Sequence, residues 1–128
     1  APQSSTGECI EEVRKKFKSS SIWTEFTDIT EMIVDELNNN NSKKIISLIR
    51  ENQKLLNNIG VVPKNISNFI DEIEQMGGAA KICGAGSIRG NNAGAIIVFS
   101  DIMPKDICNK YGFQVSCVRG DPLGTRLI

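Results

Sequence analysis

The chain has 128 residues, 40% hydrophobic and 23% charged, with Lys+Arg and Asp+Glu both numbering 15. That is one soluble domain by size and composition, long enough to bury roughly two-thirds of its unfolded surface. A net charge of zero argues against a general nucleic-acid binder, and no apolar run approaches the ~20 residues of a membrane span.

Four cysteines (Cys9, Cys83, Cys108 and Cys117) are scattered without a CxxC pair, and there is no His. This argues against a zinc site and removes Ser-His and Cys-His nucleophilic pairs. Scattered thiols at apolar positions read as small core residues of a reduced, cytoplasmic protein. No basic segment followed by an apolar stretch marks a secretory signal. The opening Ala1-Pro2-Gln3 lacks an initiator Met, which fits a processed or excised piece.

In chain order, Ser5-Thr6-Gly7-Glu8 places a hydroxyl three residues before a Glu, the spacing of a capping box. Cys9, Ile10, Val13 and Phe17 follow at helical spacing, and Arg14 to Lys18 supply cations to the last turns. The basic turn reads as a solvated helix end. Ser19-Ser20-Ser21 breaks the pattern. A second helix then carries Ile22, Phe26, Ile29, Ile33 and Leu37, and ends in the run Asn38 to Asn41. A third starts at Ser42 and is closed by Gly60; a fourth carries Ile66, Phe69, Ile70, Ile73 and Met76 and ends at Gly77-Gly78.

The period then changes. Ala79 to Cys83 and Ala95 to Phe99 predict strands, Lys105 to Tyr111 a short helix stopped by Gly112, and Gln114 to Val118 and Thr125 to Ile128 a second strand pair. The expected fold is α+β: a ferredoxin-like, four-stranded antiparallel sheet with helices packed on one face.

Between the first two strands lies Lys81-Ile-Cys-Gly-Ala-Gly-Ser87. Gly84 and Gly86 leave backbone N–H groups open to an anion, although a bare GAG is also an ordinary tight turn. The run is no Walker A sequence, because no Gly-Lys-Ser/Thr follows, and no dinucleotide fingerprint, because a strand follows rather than a helix. Lys81 reads either as a strand-end charge or as a phosphate contact. Arg89 reads as a solvated loop residue or as a group facing phosphates, and Glu8 as part of the capping box. Trp23 and Tyr111 read as half-buried packing residues.

Lys-x-x-Gly-Ala-Gly, entered through Gly77-Gly78-Ala79-Ala80, resembles the third signature motif of the GHMP small-molecule kinases, mevalonate kinases most of all. Pro2-Gln3-Ser4-Ser5-Thr6-Gly7-Glu8, opening a helix, is similar to the Ser-Thr-containing loop that starts that family's C-terminal domain, Ile59-Gly60-Val61-Val62-Pro63 to its Leu-Gly-Val stretch, and the closing strand pair from Gly112-Phe113 to Ile128 to the family's end. The departure is Ser87-Ile88-Arg89-Gly90-Asn91-Asn92-Ala93-Gly94, which stands where the family has further glycines.

The resemblance implies that residues 1–128 are a GHMP kinase C-terminal domain. Lys81, Gly84, Ala85, Gly86 and Ser87 would form the phosphate-proximal loop, with Ser5 and Thr6 on the substrate side. The phosphate loop, catalytic Asp, and most ATP and Mg2+ contacts would belong to an N-terminal domain whose motifs have no match here. The chain alone is then expected to bind neither cofactor and to catalyse nothing. Its partners would be that domain and a small alcohol, with a homodimer a compatible assembly. The alternative is a stand-alone, non-catalytic ligand-binding or regulatory module.

Overall fold

The computed structural model describes residues 3–120, 122–124 and 127. Helix α1 (Thr6–Phe17) starts where the capping box predicts. The Ser5 hydroxyl accepts from Glu8 N at 3.2 Å, and the Glu8 carboxylate accepts from Ser5 N at 2.6 Å. Helix α2 (Ile22–Asn38) follows the serine break, where Ile22 N donates to the Ser20 hydroxyl. The Trp23 indole N–H donates to the carbonyl of Phe17 at 2.7 Å and fixes the corner between α1 and α2. Helix α3 (Ser42–Asn58) packs back along α2 after a three-residue turn in which Asn40 takes φ 53.

Helix α4 (Lys64–Gln75) carries the most regular apolar stripe. Ile66, Phe69, Ile70 and Ile73 recur at i, i+3, i+4 and i+7, and each is at most 2% exposed. Gly77 ends it at φ 92. Strands β1 (Ala79–Ile82) and β2 (Ile96–Phe99) form an antiparallel pair in which Ala79 faces Phe99 and Ile82 faces Ile96. One face of the pair, with Ala80 and Ile82, packs on α3 and α4. On the other face Ile97 and Phe99 remain 42% and 37% exposed. Helix α5 (Lys105–Tyr111) ends at Gly112 with φ 71, and the ring of Phe113 folds back onto Phe69 and Tyr111.

The four-stranded ferredoxin-like sheet is not formed. The described residues are mostly helical, with five helices and this single two-stranded ladder. The far edge of β1 is occupied by side chains of α3: Gln53 Oε1 accepts from Ile82 N at 3.1 Å, and the Arg50 guanidinium donates to the carbonyl of Gly78. A third strand finds that edge closed. Among the described residues the predicted strand Gln114 to Val118 has no ladder partner, and Val115 is 39% and Val118 83% exposed. Its start is pinned to α5 instead, by the bond from Phe113 N to the carbonyl of Cys108. The predicted strand Thr125 to Ile128 lies outside the described residues except for Leu127. Among the described residues no helix is long and apolar enough to cross a membrane.

Candidate functional site

The GAG loop leaves β1 as a continuation of the ladder, with Cys83 N donating to the carbonyl of Ala95 at 2.9 Å. Gly84 and Gly86 take φ 79 and 73, a region costly for residues with a Cβ. Their surroundings differ. A Cβ on Gly84 would meet nothing within 4 Å, whereas one on Gly86 would overlap the carbonyl oxygen of Val61 and stand 2.8 Å from Ile82 Cδ1. Gly86 is therefore a packing glycine, and Gly84 and Ala85 form the open crest of the turn. Among the described residues no acceptor takes the N–H of Gly84 or Ala85.

Ser87 is 1% exposed and fully engaged. Its N–H donates to the carbonyl of Val61 at 2.8 Å and its hydroxyl to the carbonyl of Arg89 at 2.7 Å. With that proton committed, the 3.0 Å contact to Ser4 Oγ runs from the Ser4 hydroxyl to Ser87 Oγ. Ser4 Oγ also accepts from Ile88 N at 3.2 Å, and the Cys9 thiol lies 3.7 Å from the carbonyl of Gly86 as donor. The start of α1 and the GAG loop are thus bonded to each other across some eighty residues of sequence.

The loop extension has a structural role as well. The Arg89 guanidinium donates to Glu8 Oε1 at 2.8 Å and to the carbonyl of Gln3 at 3.1 Å, while Gln3 Oε1 accepts from Asn91 N. Arg89 is thus an exposed loop cation, as its solvated reading expects, and it is paired with Glu8. The Ser5 N–H and hydroxyl, with Arg89 adding its charge, hold the Glu8 carboxyl below its ordinary pKa. Ser5 is occupied as the cap, Thr6 is exposed at the first turn, and Lys81 donates to the carbonyl of Ile82 at 2.8 Å, on the open face of the sheet. Of the predicted residues, Gly86 and Ser87 are bonded to Cys9 and Ser4, on either side of Ser5 and Thr6, and Lys81 lies on the open face of the sheet.

A cleft of about 420 Å³ opens beside this junction. Cys9, Ile10 and Val13 of α1 form one wall. Leu56, Ile59 and Val61 form the other, and the Gly84-Ala85 crest lies at one end. Trp23, Arg14 and Lys18 complete the lining. Among the described residues no Asp or Glu lines it, and neither cation has an ion-pair partner. Arg14 and Lys18 are exposed, as expected of a solvated helix end, and Trp23 packs on Phe26; the three also line the cleft. The visible signal was their spacing: Arg14 and Lys18 are four apart, on the flank next to Val13. A second, more polar groove between α5 and Phe113 to Ser116 shares no lining residue with this cleft.

The arrangement can bind and orient a ligand, but it brings no carboxylate to take a proton. Among the described residues no group of three or more His, Cys, Asp or Glu could hold a metal ion. All four cysteines are thiols, Cys9 and Cys108 buried and Cys83 and Cys117 exposed. No family model, curated protein or solved structure matches this chain.

Proposed function

We propose that this chain is the C-terminal domain of a cytoplasmic, mevalonate-kinase-like enzyme that transfers phosphate from ATP to a small alcohol, and that it forms one wall of the cleft. The observation that carries this reading is the junction of α1 and the GAG loop. The two segments with the family's motifs, Gln3 to Thr6 and Lys81 to Ser87, come into contact through the Ser4–Ser87 bond, and the first turn of α1 adds the Cys9–Gly86 bond. A wall built from both is what the resemblance requires. With two strands in place of four, the reading rests on this motif and junction and takes no support from the sheet.

The role of this chain is positional. Phosphoryl transfer is catalysed mainly by positioning and electrostatic stabilisation. The open N–H groups of Gly84 and Ala85 fit a phosphate oxygen. By the same resemblance, the metal ligands and the catalytic Asp are those of the N-terminal domain. The four thiols fit a reducing compartment.

The test is transfer of labelled γ-phosphate from ATP to mevalonate, phosphomevalonate, homoserine or galactose. It is run with the chain alone and with the chain extended by the reading frame upstream of Ala1. The expected result is no turnover by the chain alone and turnover by the extended protein. Turnover by the chain alone, or an upstream frame without a Gly/Ser-rich phosphate loop, would refute the proposal.

A further inference from the structure

The cleft beside α1 has a chemistry that the phosphoryl-transfer reading leaves unused. Its walls are mostly apolar and include the buried Cys9 and Val61, 1% and 4% exposed. At about 420 Å³ it falls within the ~300–1,000 Å³ typical of small-molecule sites. Its charge is one-sided. Arg14 and Lys18, one turn apart at the end of α1, are both exposed. The nearby carboxylates of α1 are committed elsewhere: Glu8 to Arg89 and Glu12 to Lys16. Glu11 pairs with neither cation among the described residues. An apolar slot with two uncompensated cations at its lining is complementary to a ligand with an aliphatic body and an anionic head.

We infer that this cleft binds a soluble amphiphilic anion, an alkyl carboxylate or alkyl phosphate. Its tail lies against Val13, Leu56 and Ile59, and its head is held by Arg14 and Lys18. The inference does not depend on kinase activity, because binding requires neither nucleotide nor an N-terminal domain.

Trp23 lines the cleft and is the single tryptophan of the chain, so its fluorescence reports the site directly. The chain is titrated with decanoate and with decyl phosphate, each below its micelle-forming concentration. Decanol serves as the uncharged arm and inorganic phosphate as the tail-less arm. The expected result is a saturable change with at least one of the two amphiphiles, and weaker responses to decanol and inorganic phosphate. Preference between decanoate and decyl phosphate then assigns the head group. Arg14→Gln/Lys18→Gln, at surface positions that leave the fold intact by circular dichroism, weakens the anion roughly tenfold and leaves decanol unchanged. Leu56→Gln weakens all three tailed ligands, and amide shifts at Val13 and Ala85 on binding place the ligand in the cleft. The inference is overturned if neither amphiphile gives a saturable response. It is equally overturned if the double variant binds them as the parent does, or if the response appears only with anionic lipid vesicles.

Discussion

Gly84 and Gly86 share a left-handed backbone, yet alanine at the two positions will have unequal effects. At Gly84 only the backbone preference is violated, about 1–2 kcal/mol. At Gly86 the new Cβ also meets Val61 and Ile82, adding an overpacking cost of about 1–3 kcal/mol. Urea unfolding of Gly84→Ala and Gly86→Ala should give midpoints in that order, the second well below the first. Glu8 makes a different kind of prediction. Its carboxyl is held below the ordinary 4.5 by the Ser5 bonds first and Arg89 last. The folded state therefore binds that proton more weakly than the unfolded chain. The stabilisation is fully present above 4.5 and is lost as pH falls through the depressed folded value. A carboxyl titration of Glu8 by NMR should show the depressed midpoint, and Arg89→Gln should raise it only slightly.

Among the elements, α4 is the one whose burial was most fully written in its spacing. Of the predicted stripe, Ile66, Phe69, Ile70 and Ile73 are buried, while Met76, just past the helix end, is 37% exposed. Phe69 lies against Tyr111 and Phe113 at ring separations of 5.4 and 5.0 Å, so it joins α4 to α5. Phe69→Ala should cost about 3–5 kcal/mol in chemical denaturation and release the segment after Gly112. The α1 cap was equally legible, because Ser5 and Glu8 bond within one turn and need nothing distant. The stripes of α1 and α2 were read correctly in period but too widely in burial: Ile10 and Leu37 are 52% and 57% exposed. Strands are harder to read, because a ladder depends on a partner. Ala95 to Phe99 finds β1, whereas Gln114 to Val118 has strand-like alternation and no ladder partner among the described residues.

At the scale of the whole molecule, the helices and the first hairpin were predictable from local pattern, and the number of strands in the sheet was not. The deciding residue, Gln53, sits on a helix stripe as a polar exception, and nothing nearby in sequence identifies Ile82 as its partner. The site was half legible for the same reason. The GAG motif stood out, but its contacts with Ser4 and Val61, and the cleft beside Arg14, arise only when distant segments meet. Gln53 also has an effect beyond topology. Exposed strand edges are templates on which other chains can stack. By occupying Ile82 N, and with Arg50 on Gly78, α3 leaves a short hairpin with one row of peptide groups blunted against such growth. Gln53→Leu removes this guard at a net cost of about 1 kcal/mol, because the buried Ile82 N–H loses its acceptor while the amide Nε2, unpartnered among the described residues, is deleted as well. Light scattering during mild heating should then show earlier onset of association than in the parent, a colloidal consequence of one buried glutamine.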